Sequence, residues 1–290
     1  MRCRVVPWIN CALLAVTLAG CTAGGSSLPY AGPPNNAGGG SGTNVPSGTG
    51  SAVIRFVQGS PAYGTVVVCV DQLPLAYTQS GVPYGTASGL FAVSGGSGSA
   101  HVVSVYAPTP GVPMGSQCAT APGPYFGQPA IASTVVSPPA STAGSRLTVV
   151  LGGTTAGAVA LYVFAEPDFA VVPSGIQAVA HNTAVGGPVI FSYMTASGPT
   201  VIPGEDAVPL AKKSGTTAVV NQPAGPSLLP VQPSSPLTFE AGMYVDPTHT
   251  AVTVGPPSSP ATYELYAIAS TNMNGIGLVV VQETTTGLGF

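Results

Sequence analysis

Few residues of this 290-residue chain could carry acid–base or metal chemistry. It has nine Asp and Glu, six Lys and Arg and three His, so 5% of its residues are charged. The histidines, His101, His181 and His249, lie far apart, and none has Cys, Asp or Glu neighbours at the spacing of a zinc site. We therefore expect no metal, no cofactor and no catalytic residue.

Two acidic pairs have the residue types of a glycoside hydrolase or a calcium site, namely Glu166 with Asp168 and Glu205 with Asp206. Nearby prolines place both pairs on loops, where carboxylates are normally solvated. A hydrolase that uses Glu166, Asp168 or His181 is accordingly a third interpretation, behind the two given below.

Loop tyrosines and one histidine are the candidates for ligand contacts. Tyr63, Tyr84 and Tyr125 lie in predicted loops, and His181 ends a predicted strand. Aromatic rings on a surface can hold a sugar or a peptide, which would make the protein a carbohydrate-binding or substrate-capturing module. The alternative is that the tyrosines pack in the core and at strand edges, and that His181 is hydrogen-bonded within the fold.

Isolated charges exclude one partner class. The net charge is −3, and Lys212-Lys213 is the largest basic cluster in the sequence, so nucleic acid is not an expected partner. Arg55 lies in an otherwise apolar strand. We expect it to face solvent or to pair with an acid such as Asp71.

The N-terminus has the features of a secretory signal. Arg2 and Arg4 precede an apolar run that is shorter than the roughly 20 residues of a membrane span. The run ends in Leu18-Ala19-Gly20-Cys21, which resembles a bacterial lipobox. The resemblance implies that residues 1–20 are a signal peptide and that Cys21 is acylated, so that lipid holds the protein at the membrane. A plain signal peptide is the alternative.

Residues 21–51 are expected to comprise the acylated Cys21 and a flexible linker rich in Gly, Pro and Ser. The 29 residues from Thr22 to Gly50 include nine Gly, four Pro, four Ser and no charge. As a Gly-rich coil this stretch would reach about 30 Å, which clears the lipid headgroups. Thr22, where enterobacterial lipoproteins retained at the inner membrane have Asp, implies the outer membrane.

The cysteine count predicts one disulfide. Cys3 and Cys11 leave with the signal, and acylation uses Cys21, so Cys69 and Cys118 remain in an oxidising compartment. We expect them to pair; two free buried thiols are the alternative.

The rest of the chain is typical of an all-β protein. Gly and Pro number 39 and 31, and short runs rich in Val, Ile, Thr, Tyr and Phe alternate with turn residues. Seven short strands in each half predict two tandem antiparallel β-sandwiches, residues 52–172 and 173–290, each able to fold alone. The halves align with each other at a shift of 123 for Val53 on Ile176, and of 117 for Leu161 on Leu278, which indicates a duplication; chance similarity between Val-rich strands is the alternative.

Three segments of the first half resemble a secreted bacterial family, domain of unknown function 4397. These are Ile54 to Pro61, Val66 to Asp71 and Ser145 to Gly152. Gln58 and Gly59 stand where the family has His-Ala, Gln72 where it usually has Gly, and Ala178 of the second half where it has Arg. The resemblance implies tandem immunoglobulin-like sandwiches on a cell envelope and supplies no known activity.

Together these features favour a membrane-anchored bacterial envelope lipoprotein with a structural, adhesion or interaction role. Its expected partners are the membrane, through the lipid on Cys21, and a cell-surface glycan or protein.

Overall fold

The computed structural model describes only part of the chain. The described ranges are 52–75, 81–93, 98–112, 118, 129–138, 145–166, 176–183, 189–202, 217–219, 227–229, 236–243, 249–256, 261–271 and 275–284. The predicted signal peptide, Cys21 and the linker lie outside them, as do Tyr125, Asp168 and the Glu205–Asp206 pair.

The described residues form strands joined by turns, and no α-helix occurs among them, which confirms the all-β class. The first half contains β1 (Ala52–Gln58), β2 (Thr65–Val70), β3 (Leu73–Pro74), β4 (Val82–Pro83), β5 (Phe91–Ala92), β6 (His101–Tyr106), β7 (Ala132–Val136), β8 (Ser145–Gly152) and β9 (Ala160–Glu166). The second half contains β10 (Ile176–Asn182), β11 (Val189–Thr195), β12 (Gly198–Val201), β13 (Thr217–Val219), β14 (Ser227–Leu229), β15 (Leu237–Met243), β16 (His249–Val254), β17 (Ala261–Ala269) and β18 (Ile276–Thr284). No helix in these ranges is long and apolar enough to cross a membrane.

The strands form four sheets, an inner and an outer sheet in each half of the chain. The first inner sheet has the order β13-β9-β8-β1-β5, and the first outer sheet has β3-β2-β6-β7 with β4 also paired to β2. The second inner sheet has the order β14-β10-β17-β18, and the second outer sheet β12-β11-β15-β16. Leaving β13 and β4 aside, the two halves therefore have the same strand order.

The inner sheets are buried on both faces. Along β1, Ala52, Ile54 and Phe56 enter the core between the inner and outer sheets of the first half. Val57, on the opposite face, enters a separate cluster that joins the two halves. Side chains alternate between the two faces of a strand, and both faces of this sheet are covered, so all seven residues of β1 are buried. The same is true of β10.

The pairing is not wholly antiparallel, in contrast to the prediction. β1 pairs with β8 in parallel, and β10 pairs with β17 in parallel. Parallel neighbours need a long crossover, and here the chain between the paired strands builds the outer sheet before it returns. Parallel strands are normally buried on both faces, as these are.

The strand register distinguishes the two alignments of the halves. Strands β9 and β18 are equivalent, and so are their neighbours β8 and β17. Leu161 of β9 pairs with Leu151 of β8, and Leu278 of β18 pairs with Ala267 of β17, so Leu161 and Leu278 occupy equivalent positions, in agreement with the shift of 117. The shift of 123 is wrong by one residue. The Gly59 amide donates to the Leu151 carbonyl, and the Thr183 amide makes the equivalent hydrogen bond to the Ala267 carbonyl. Gly59 therefore corresponds to Thr183, which is a shift of 124. A one-residue slip exchanges the two faces of a strand, and sequences that are apolar on both faces do not reveal it.

One strand crosses between the halves. β13, from the second half, pairs in parallel with Leu161–Val163 of β9, at the edge of the first inner sheet. The predicted boundary between residues 172 and 173 lies outside the described ranges.

The structure contains the disulfide that the cysteine count predicts. Cys69 of β2 is bonded to Cys118 across 49 positions of sequence, and both residues are buried. The bond ties the chain after β6 to the outward face of the first outer sheet.

Replacing either cysteine should destabilise the protein equally. Cys69→Ser, Cys118→Ser and the double variant should each lose about 2–5 kcal/mol, because each frees the same loop in the unfolded chain. Thermal and urea unfolding would measure the loss, and reduced wild-type protein is the control. Additive losses in the double variant would instead indicate two independent packing sites.

Candidate functional site

The structure does not gather the predicted ligand-contacting residues into one site. Tyr63 is half-buried against the first core, and Tyr125 lies outside the described residues. The Tyr84 hydroxyl donates to the Ala269 carbonyl at 2.7 Å, across the two halves. Burial raises the pKa of Tyr84, and a hydrogen bond with Ser270 partly offsets this rise.

His181 is enclosed between the halves. Its exposed fraction is 0%, and its ring centroid lies 4.2 Å from that of Phe164 and 5.2 Å from that of Tyr266. In this position the imidazole is part of the packing and is not accessible to a surface ligand.

The least expected site is a buried ionic cluster of Arg55, Arg146 and Glu264. Arg55 on β1 and Arg146 on β8 belong to the first half, and Glu264 on β17 to the second. Arg55 and Arg146 are each 4% exposed, and Glu264 is 0% exposed. The cluster therefore lies between the two inner sheets.

Both carboxylate oxygens of Glu264 bind an arginine. Arg55 Nη1 donates to Oε2 at 2.8 Å, and Arg146 Nη2 donates to Oε1. The Tyr266 hydroxyl also donates to Oε2, at 2.8 Å, and lies within hydrogen-bonding distance, 3.1 Å, of the Thr148 hydroxyl. Alternation along β17 puts Glu264 and Tyr266 on the same face.

Desolvation explains why these groups occur together. An unpaired charge in the interior costs several kcal/mol, on the order of its effective desolvation penalty. Charge-assisted bonds to both oxygens offset that cost for Glu264.

Glu166, from the predicted acidic pair, stands opposite Arg146 in the register of β8 and β9.

An apolar seam surrounds the ionic cluster. The first half contributes Val57, Val150, Ala160, Tyr162 and Phe164, and the second half contributes Tyr266, Ile268, Val279 and Val281. Burial here raises the pKa of Tyr162. A Cβ on Gly59 would lie 2.8 Å from Ile268 Cγ2 and 2.9 Å from the Leu151 carbonyl oxygen, so glycine is needed for the halves to approach this closely.

Of the two alternatives expected for Arg55, pairing with an acid is confirmed and exposure to solvent is not. The acid suggested from the sequence, Asp71, was wrong: the partner is Glu264, which is distant in sequence and reaches Arg55 across the halves. The sequence does contain a signal for this contact: Glu264 is a single acid in an apolar strand of a chain with very few charges. Such a residue needs a buried partner of opposite charge.

A second candidate site is a cleft on the outward face of the first outer sheet, here called the disulfide cleft. Its volume is about 420 Å³, and it is lined by Asp71, Gln72, Val102, Ser104, Tyr106 and the Cys69–Cys118 disulfide. Asp71 and Gln72 form the two-residue turn between β2 and β3, with φ of 50° and 66°. Two consecutive positive φ values are typical of a tight hairpin turn, where glycine is the preferred residue.

Asp71 is held by two hydrogen bonds. The Val102 amide donates to Oδ1 at 2.9 Å, and His101 Nδ1 lies 2.7 Å from Oδ2. Partial burial by itself would raise the pKa of Asp71. The bonds from His101 and Val102, with the charge of His101, outweigh that effect and hold the pKa below its usual value.

Comparisons with known proteins do not identify the chain: no protein-family model and no curated protein matches it. The resemblance to domain of unknown function 4397 therefore stays a prediction. Among the described residues, no three His, Cys, Asp or Glu side chains lie close enough together to hold a metal ion.

Removing the charge of Glu264 should destabilise the whole protein. Glu264→Gln keeps the side-chain volume but leaves two buried arginines without their carboxylate, which should cost about 3–5 kcal/mol in urea unfolding. Glu240→Gln is the matched control, since Glu240 is a half-buried glutamate on the second outer sheet. A loss in Glu264→Gln no larger than in this control would contradict a structural role for the cluster.

Asp71 should make stability depend on acid pH. Because its pKa is lowered in the folded state, charged Asp71 stabilises the fold above about pH 4, the unfolded value. This contribution is lost as the pH falls through the folded pKa. Asp71→Asn should therefore be less stable than wild type at pH 6, by at most about 1 kcal/mol because the side chain is partly exposed.

Urea unfolding from pH 6 to pH 2.5 would test this expectation, and the difference between the two proteins should narrow below about pH 4. A difference that stays constant over the whole range would contradict it.

Proposed function

We propose that this protein is a bacterial envelope lipoprotein, held at the outer membrane by lipid on Cys21, whose folded part is a non-catalytic structural or adhesion module. The observation that carries the proposal is the ionic cluster with its apolar seam. It joins the two sandwiches so that they act as one body, as a module that transmits force or presents a surface requires.

Contacts at several points support a fixed arrangement of the halves. Arg55 and Arg146 are bound to Glu264, Tyr84 is bound to the Ala269 carbonyl, and Gly59 packs against Ile268. Close-packed protein interiors do not deform gradually, so relative motion of the halves would have to break these charged and apolar contacts together. A hinged enzyme whose two halves close on a substrate would not be built this way.

The linker gives the module its place outside the membrane. Its uncharged Gly-rich sequence supports a flexible connection of about 30 Å between the acylated cysteine and β1. A rigid body on a flexible tether can search the space above a membrane for a glycan or protein on the cell surface.

A binding role is the second candidate function, and the disulfide cleft favours it. The cleft lies on the outer sheet, away from the seam between the halves.

The test of the anchor is Cys21→Ser. The full-length variant should lose incorporation of an alkyne-labelled fatty acid and should leave the membrane fraction, because several buried methylenes contribute about 0.8 kcal/mol each to attachment. Membranes are washed with high salt before fractionation, which removes protein held only by charge.

Cys69→Ser is the matched control, since it also replaces one cysteine by serine, here in the disulfide, and should stay labelled and membrane-bound. If Cys21→Ser protein still sediments with washed membranes, the lipoprotein proposal is wrong.

A further inference from the structure

We propose that the disulfide cleft binds a neutral saccharide. The inference adds a ligand class to the binding role proposed above. It rests on that proposal only in taking the cell surface as the place where the protein binds the sugar. The residues that carry it differ from the loop tyrosines considered above.

The cleft offers a saccharide ring an apolar surface. The Cys69–Cys118 disulfide forms part of its lining, Val102 is 45% exposed beside it, and the Tyr106 ring is half-buried against Cys69 and Val67. A pyranose ring has faces made largely of C–H groups, and these pack favourably on aromatic and apolar side chains. A volume of about 420 Å³ falls within the range of small-molecule sites.

The rim of the cleft offers polar groups suited to hydroxyls. Each oxygen of the Asp71 carboxylate accepts one bond within the fold and keeps capacity for another. The Gln72 amide and the Tyr106 hydroxyl have no hydrogen-bond partner within the described part of the chain. Ser104 Oγ lies 3.0 Å from Ser133 Oγ and completes a set of acceptors and donors.

Backbone conformation supports a role for Gln72. At a φ of 66° glycine would be free of strain, and glutamine is not. Left-handed non-glycine residues persist where the surrounding structure holds them, and they are concentrated at functional sites. The turn thus keeps an amide at the rim where a glycine would give the simpler hairpin.

Charge and strand chemistry argue against two other ligand classes, anions and peptides that add a strand to the sheet. None of the described residues that line the cleft is Lys or Arg, and Asp71 would repel an anion. A peptide that adds to the nearby edge of the sheet would meet β3, which has two residues and includes Pro74, a residue without an amide proton. A neutral polyhydroxylated ring fits both constraints.

The test uses the full-length lipidated protein in detergent micelles and isothermal titration with named sugars. The neutral probes are cellotriose, maltotriose, mannotriose and chitotriose, and the acidic probes are trigalacturonate and sialyllactose. We expect at least one neutral trisaccharide to bind and the acidic ones to bind more weakly.

Gln72→Gly is the decisive variant, because it should preserve or raise the melting temperature while removing the amide. It should raise the Kd for the bound neutral sugar about tenfold, the effect of one lost hydrogen bond. Tyr106→Ala should raise it by a similar factor. Met194→Ala, exposed on the second outer sheet, is the control and should leave Kd unchanged.

Three results would overturn the inference: no binding of any neutral sugar, tighter binding of the acidic sugars, or a Kd that neither Gln72→Gly nor Tyr106→Ala changes. Membrane fractionation of the cells that produce the wild-type protein, before detergent is added, separates this failure from that of the proposed function. Absent sugar binding with intact membrane attachment rejects the saccharide alone, whereas loss of attachment rejects the anchor.

Discussion

The central constraint in this protein is that the buried carboxylate of Glu264 must pair with both Arg55 and Arg146 in the interior. The arginines lie on the first inner sheet and the glutamate on the second, so these two ion pairs form only when the halves meet. A charge left without its counter-ion would cost more than one packed apolar side chain contributes. The assembly of the two halves is therefore tied to the formation of this cluster.

The apolar seam and the composition follow from the same arrangement. Both inner sheets bury both faces, so β1 and β10 lack the alternation of a half-exposed strand. Outer strands recover it: β16 alternates strictly between exposed and buried residues. Two sheets that are buried on both faces leave few positions for charged side chains. The charged fraction of the sequence, 5%, is consistent with this.

The outward face follows different rules. There the backbone conformation of Asp71 and Gln72 comes from a two-residue turn that glycine would make without strain. His101 and the Val102 amide hold the Asp71 carboxylate, which fixes the geometry of that turn. The seam thus joins the halves, while the strained turn and the disulfide line a cleft on the outward face of the first outer sheet.

The sequence by itself determined the local features. Residue spacing and turn composition predict seven strands in each half, where the described residues form nine; the strands missed are the short β3, β4, β12 and β14. The cysteine count predicts the Cys69–Cys118 bond by elimination. The shift of 117 is also recovered, since Leu161 and Leu278 begin closely similar segments.

Only the tertiary structure decided which face of each strand is buried against which sheet. For β1 both faces are apolar, so the pattern allowed a one-residue slip, and it did not identify Glu264 as the partner of Arg55. Glu264 lies 209 positions from Arg55, and β13 pairs outside its own half. No periodicity encodes such contacts, because they arise when two complete sheets stack and the desolvation of each charge selects its partner.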